Sequence, residues 1–207
     1  MDKKSKNLYI SIEEFADLTS KSPMALHLNP SGLIRLGNCN ENRFERFRQF
    51  LFSIESLGGN ILIPTFSYSF VKEESVFDMK KTPSILENIS ENLRKLNPEK
   101  RTCDPMFSYL MYGKFFDERH KKVHDYNTFG EGGLIDDLFK SNGYLSSVGG
   151  VLEHLTELHY IENILGVNYR QNKKFYGNTI DINGLKHKQI STFYCRDLSS
   201  DYISSFL

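Results

Sequence analysis

Between Glu153 and Glu162 the sequence reads Glu-His-Leu-Thr-Glu-Leu-His-Tyr-Ile-Glu, which gathers two imidazoles, three carboxylates and one threonine in a single short stretch. If this stretch is helical, Thr156, His159 and Glu162 recur at i, i+3 and i+6, so neighbouring members lie near one face and a carboxylate reaches an imidazole. A carboxylate that holds one ring nitrogen fixes the tautomer and leaves the other nitrogen free to act as a base. With an ordinary pKa of about 6.5, such an imidazole accepts a proton near neutral pH. The same residue types also bind metals. A catalytic zinc needs three converging ligands and an open position, and no HExxH is present, so metal is the weaker reading. On spacing alone, a solvated polar helix face competes with both.

The elements that must carry this stretch read as alternating strands and helices, the pattern of an α/β protein with a helix-covered central sheet. Ser11 with Glu14 forms a capping-box pattern at the head of a helix that ends at Ser22-Pro23, and Leu8-Tyr9-Ile10 before it reads as a short strand. Met24 to Leu28 is an apolar run that opens into Asn29-Pro30-Ser31-Gly32. From Glu41 to Leu57, Phe44, Phe47, Phe50, Leu51, Ile54 and Leu57 mark an amphipathic helix closed by Gly58-Gly59. Asn60 to Pro64 has the continuous apolar character of an interior strand, and Thr65-Phe66-Ser67-Tyr68 follows it, where open α/β sheets place ligands. Thr82-Pro83-Ser84 is expected to open a second helix carrying Ile85, Leu86, Ile89, Leu93 and Leu96. Pro105 begins an apolar stretch running to Tyr112. Leu134 to Phe139 is helix-like, and Tyr144 to Val148 is a strand ending in Gly149-Gly150. From Val167 to Arg196 the sequence reads as antiparallel strands, with turns at Gly177 and at Asn183-Gly184. The expected layout is one domain over 1–207, with a core at 22–166 and mostly antiparallel strands at 167–207.

Composition narrows the functional classes. The 207 residues suffice for a buried core without disulfides, and sixteen Phe with eleven Tyr supply it. Twenty-six basic residues balance twenty-six acidic ones, so no global field steers nucleic acid or an anionic membrane toward the chain. No apolar window is long enough to span a bilayer and no signal-peptide core follows Met1, which makes a cytoplasmic protein the expectation. Cys39, Cys103 and Cys195 are too far apart for a zinc knuckle and odd in number, so buried or half-buried free thiols are expected. Phe129-Gly130-Glu131-Gly132-Gly133 lacks the spacing of a phosphate-binding loop and reads as a turn. His120, His124 and His187 read as surface or loop residues, with His124 near enough to Phe129 in sequence to border a site.

Six segments occur in a characteristic order: Gly59 to Ser67; Phe77-Asp78 with Thr82-Pro83-Ser84; Arg101-Thr102 with Pro105 and Ser108; Phe129 to Gly132; Thr156-Leu158-His159-Glu162; and Tyr169-Arg170 with Lys174-Phe175 and Gly177. On this ordered set the chain resembles the aminoglycoside 3-N-acetyltransferase (antibiotic N-acetyltransferase) family from about Met24 to Arg196. The resemblance implies an α/β core with an added antiparallel portion, and acetyl transfer from acetyl-CoA, without a metal, to an amine on a sugar. It makes His159 the catalytic histidine, Glu162 its acidic partner and Thr156 a residue shaping the site. Thr65, Phe66 and Ser67 match the segment beside the pantetheine arm of CoA. His27 falls near the family's His-Ser-Ser turn, here continued by Leu28-Asn29-Pro30-Ser31, which assigns Asn29 and Ser31 to CoA. Arg170, with Lys173 and Lys174, is a candidate for the CoA phosphates, and a Lys-protected strand edge is the equal alternative.

On the acceptor side the expected contacts are Tyr68, Asp104, His124 and Glu131. Asp104 stands where antibiotic-modifying members have His before the Pro, which points toward a different acceptor. A polycationic drug calls for several carboxylates, whereas the site segments mix Asp104, Glu131, Glu153, Glu157 and Glu162 with His124, Arg101 and Arg170. A singly aminated sugar, such as the amino sugar of a nucleotide-linked surface-polysaccharide precursor with Arg101 and Arg170 on its diphosphate, is therefore expected ahead of an aminoglycoside. The chain ends at Leu207, sooner than the family's members, which points to a short member. A non-catalytic CoA- or sugar-binding remnant of the family is the second reading. Partners are a small-molecule acceptor and, as an open question, a second copy in a homodimer, with no nucleic acid and no membrane.

Overall fold

A computed structural model describes residues 10–29, 42–149 and 155–197. Along the chain it places α1 (Ile12–Lys21), β1 (Met24–Leu28), α2 (Arg43–Ser56), β2 (Ile61–Pro64), β3 (Val76–Asp78), α3 (Asn88–Leu96), β4 (Tyr109–Tyr112), β5 (Tyr126–Asn127), α4 (Leu134–Lys140), β6 (Tyr144–Val148), α5 (Leu158–Leu165), β7 (Arg170–Ile180) and β8 (Lys186–Arg196). The capping box of α1 is formed, with Ser11 Oγ accepting from the Glu14 N–H and the Glu14 carboxylate accepting from the Ser11 N–H. Of the strand expected at Leu8-Tyr9-Ile10, only Ile10 lies among the described residues, and it is exposed coil.

Two four-stranded mixed sheets result. In the first, ordered β4-β2-β1-β6, β1 runs parallel to both β2 and β6, and β4 closes antiparallel on β2. In the second, ordered β3-β7-β8-β5, the long β7–β8 hairpin is antiparallel and takes a short parallel strand on each outer edge. The period-2 alternation of strands divides the residues of the first sheet between two cores. Met24, Leu26, Leu28, Ile61, Ile63, Leu110 and Tyr112 pack with Phe47, Leu51 and Ile54 of α2, Leu93 of α3 and Ala16 of α1. Ala25, Leu62, Tyr109 and Met111 point the other way, into a core shared with Phe66, Phe107, Phe129, Leu138, Tyr160 of α5 and Tyr194 of β8. His27 follows Ala25 in the alternation and so lies on this second face.

Two expectations need correction. The helix expected from Thr82 begins at Asn88. Residues 82–87 are instead a folded turn, in which Ser84 Oγ accepts from the Leu86 N–H, the Ser84 N–H donates to Glu91 and the Ile85 N–H donates to the Phe66 carbonyl. Gly177, expected at a turn, lies inside β7. A Cβ there would stand 2.4 Å from the Ser75 carbonyl oxygen and 2.6 Å from the Phe70 ring, so glycine is required by close approach of another chain segment rather than by a reversal. The reversal is made by residues 181–185, where Asp181 accepts from the Asn183 and Leu185 N–H groups.

Candidate active site

The strands β1, β2 and β6 run parallel, so their carboxyl ends open on one edge of the first sheet, the edge at which such sheets take ligands. Each end leads into a segment of interest: β1 into Asn29, β2 into Thr65 to Tyr68, and β6 toward Thr156 and α5. The helix α5 starts at Leu158 and stops at Gly166, whose φ of 62° is the left-handed conformation that glycine adopts without strain. Thr156 lies in the turn before it, half-buried, and its carbonyl accepts from the His159 N–H at 3.1 Å.

His159 Nδ1 stands 2.7 Å from Glu162 Oε2. The carboxylate makes Nδ1 the protonated nitrogen and leaves Nε2 as the lone-pair nitrogen. Glu162 is itself held: Tyr169 Oη donates to its Oε1 at 2.8 Å, and Arg170 Nε lies 2.8 Å from its Oε2, too poorly aligned for a hydrogen bond. Burial pushes the Glu162 carboxyl up, but His159, Tyr169 and Arg170 outweigh it and the net pKa is lowered. The His159 pKa is also lowered, first by burial and then by the Arg170 charge, against the pull of Glu162. A neutral imidazole with a fixed tautomer is the result. Phe129 meets its ring edge-on at 5.4 Å between centroids, and the Phe129 carbonyl accepts from Asn163 Nδ2 at 2.6 Å, which fastens the loop 128–133 to α5. Phe129 continues through Phe107, Phe66 and Tyr68 into a largely buried aromatic cluster that Phe193 of β8 completes.

A neutral imidazole held by an oriented carboxylate is suited to accepting a proton, and the sequence and fold place the chain in a family. A profile of the aminoglycoside 3-N-acetyltransferase family matches residues 31–202. The chain belongs to that family. Among solved structures, the chain is similar in fold to aminoglycoside acetyltransferase AAC(3)-IIb, with a TM-score of 0.64 at 14% identity over 89% of this chain and 74% of that one. It is similar to AAC-VIa bound to sisomicin, with 0.63 at 17% over 90% and 76%, and to AAC-IIIb in its binary complex with CoASH, with 0.60 at 18% over 89% and 75%. No curated protein matches the sequence significantly. The α/β fold expected from the sequence is therefore the fold of the aminoglycoside acetyltransferases.

Within this family frame, several residues expected to touch ligands are placed otherwise. Thr65 and Ser67 are wholly buried, with Thr65 Oγ1 donating to the Ser108 carbonyl and Ser67 Oγ donating to the Pro105 carbonyl. Phe66 is buried between His27, Phe107 and Tyr109. These side chains shape the strand end and do not present themselves to CoA. Asp104 is enclosed, its Oδ1 accepting from the Met106 and Phe107 N–H groups and its Oδ2 from the Thr128 hydroxyl, so it builds a turn and does not face an acceptor. Burial pushes its carboxyl up. Arg101, a candidate for a diphosphate, is fully buried with its donors committed to the chain's own oxygens. Arg170 turns inward to Glu162, with its side chain only 16% exposed, instead of outward to a phosphate.

Other candidates keep their exposure. Tyr68 is half-buried against Phe107 and Phe193, with a strained φ of 49°. Glu131 is exposed, with Lys140 at 4.0 Å. His124 is exposed, its ring stacked on Tyr126 at 4.2 Å. Asn29 donates its N–H to the Val148 carbonyl, which ties the end of β1 to β6. Ser31, Glu153, His154 and Cys39 lie outside the described residues. His120 is a correction: it is fully buried, not a surface residue, with Nε2 2.8 Å from Asp137 Oδ2. Cys103 is a buried free thiol and Cys195 a half-buried one. Among the described residues no cluster of His, Cys, Asp and Glu is arranged to hold a metal, and no helix is long and apolar enough to cross a membrane.

His159 and Glu162 are related by helical spacing, and the other groups around them are not. Tyr169 and Arg170 arrive from the start of β7, and no local spacing relates them to Glu162. Glu157 was one of several acids in a polar stretch. Its full burial follows only from the way α5 meets the sheet.

Proposed function

We propose that this chain is an acetyl-CoA-dependent N-acetyltransferase in which His159 is the general base and Glu162 its orienting partner. The observation that carries this reading is the His159–Glu162 pair, with Nδ1 bound and Nε2 left free, in a member of this family. In this reading His159 Nε2 removes the proton from the acceptor nitrogen as that nitrogen bonds to the thioester carbonyl carbon. The C–S bond then breaks, and the imidazolium returns the proton to the departing thiolate. Glu162 keeps the ring in register and stabilises the imidazolium while it exists. Thr156, beside His159, is the proposed donor to the developing oxyanion, where one donor is worth roughly 3 kcal/mol in well-studied hydrolases. The AAC-IIIb structure with CoASH supports CoA as the donor's carrier.

The acceptor is proposed to be a sugar with one amine. Three carboxylates of the site segments are already committed: Glu162 to His159, Tyr169 and Arg170, Glu157 to His27 and Tyr109, and Asp104 to its turn. A polycation entering here would lose water from several ammonium groups without a matching charge for each. AAC-VIa is bound to sisomicin, which keeps an aminoglycoside as the alternative acceptor.

Two measurements test this reading. Acetyl-CoA or CoA at about 100 times its dissociation constant should add about 2.7 kcal/mol of stability, seen as a rise in Tm of several degrees. No rise at millimolar ligand would exclude CoA. A thiol-release assay should then show turnover of nucleotide-linked 3- and 4-amino sugars above that of kanamycin- and gentamicin-type drugs. Efficient turnover of the drugs alone would move the acceptor to the aminoglycosides, and CoA binding without turnover of any amine would favour the non-catalytic reading.

A further inference from the structure

We infer that Glu157 is a positioning residue for His159, acting through a buried clamp with His27 and Tyr109; this rests on His159 being the base proposed above. Glu157 is the last residue before α5, and its side chain is only 1% exposed. His27 Nε2 lies 2.8 and 2.9 Å from its two carboxylate oxygens, and Tyr109 Oη donates to Oε1 at 2.7 Å. His27 belongs to β1 and Tyr109 to β4, and β2 lies between those strands in the sheet. One carboxylate therefore bridges two non-adjacent strands across the middle one and pins the head of α5 above the centre of the sheet.

No side-chain hydrogen bond among the described residues caps that head, so the helix start is held through Glu157's contacts to the sheet. His159 follows two residues later, in the first turn of a helix with only eight residues, so a shift of Glu157 is passed directly to the imidazole. A buried carboxylate carries a desolvation cost, and an apolar contact would fasten the helix without it. What the carboxylate adds is direction, since three hydrogen bonds from two strands fix position and rotation together. It also adds charge. Burial pushes the Glu157 carboxyl up, but the His27 and Tyr109 bonds outweigh it and its net pKa is lowered, which keeps it ionised. Among the described residues, the charged and titratable groups acting on His159 are then Glu162 from its own helix, Arg170 from β7 and Glu157 from the turn, with Tyr169 on Glu162.

The test pairs a charge-removing variant with a truncating one. Glu157→Gln keeps the shape and removes the charge, and it should lower kcat about tenfold, with Glu157→Ala lowering it about a hundredfold, because small misplacements of a reacting group cost that much. KM for acetyl-CoA should stay within about twofold in Glu157→Gln, as in a loss felt only in the transition state. The acid limb of the rate profile should move to lower pH, since one negative charge near His159 is gone. The His159 ring resonances followed by NMR should show the same downward move with no substrate present. An unmoved His159 titration and unchanged ring shifts in a folded Glu157→Gln protein would overturn the inference. Should the wild type acetylate no amine, the proposed activity falls, and the NMR titration still decides the clamp.

Discussion

Replacing His159 by alanine is expected to lower kcat by roughly 10²- to 10⁴-fold, the range that one general base supplies. Affinity for CoA should stay within about threefold and Tm within a few degrees, because the imidazole is partly exposed and its proposed action is on the amine rather than on the nucleotide. The pH profile of the wild type carries the sign of the same argument. Burial and Arg170 set the His159 pKa below its usual 6.5, so the neutral, proton-accepting form persists as pH falls past that value. Activity should therefore be flat through neutral pH and be lost only on the acid side of 6.5. Equal losses of CoA binding and rate in His159→Ala, or an acid limb above 6.5, would make His159 a structural residue.

The second large effect concerns stability. Arg101 is fully buried, with Nε donating to Ser108 Oγ at 3.0 Å, Nη1 to the Met79 and Thr82 carbonyls at 3.3 and 2.6 Å, and Nη2 to the Thr65 carbonyl at 3.0 Å. Its guanidinium also lies 4.7 Å from the centre of the Phe77 ring. Burial pulls its pKa down to about 9, which still leaves it charged at neutral pH. This one side chain joins the strand end at Thr65 to the turn before α3 and to the approach to β4. Arg101→Ala removes the donor from the Met79 and Thr82 carbonyls, while the Thr65 carbonyl keeps Ser108 Oγ, and we expect a loss of roughly 3–5 kcal/mol, since each orphaned buried group costs about 1–3. For a chain of this size that is a fall in Tm of about 6–20 °C. Arg101→Lys should recover only part of it, because an ammonium cannot reproduce the planar fork. A calorimetric melt within about 2 °C of wild type would show that the guanidinium is dispensable.

Arg101 also marks where sequence reading stops. An arginine in a polar segment reads as a surface cation available to phosphate, and nothing local signals that four oxygens from Thr65, Met79, Thr82 and Ser108 will converge on it. Asp104 is the same case with the opposite charge: its partners Met106 and Phe107 are neighbours in sequence, but Thr128 is not. The strands and helices were legible because their signals are local and periodic. The capping box of α1, the apolar run of β2 and the stripe of α2 need no knowledge of what packs on them. Gly177 was misread because a turn glycine and a close-contact glycine look alike until Ser75 is placed beside it. The His159–Glu162 pair was legible from one helical turn, whereas Tyr169, Arg170 and Glu157 needed the tertiary fold.

Parallel pairing of Val76 with Asn178 and of Tyr126 with Ser191 joins positions roughly 100 and roughly 65 residues apart, and contacts of such range form slowly because loop entropy is lost before they compensate for it. The strands of the first sheet all lie at or before Val148, so β1, β2, β4 and β6 can pair while the rest of the chain is still being made. Tyr169 and Arg170, by contrast, reach Glu162 from the start of the hairpin that must find β3 and β5. The scaffold that holds His27 and Tyr109 is thus available early, and the surroundings that orient the base are assembled late, when the hairpin docks. A chain caught before that step has Phe107 without Phe193 and Glu162 without Tyr169 and Arg170, so the proposed activity is expected only once folding is complete.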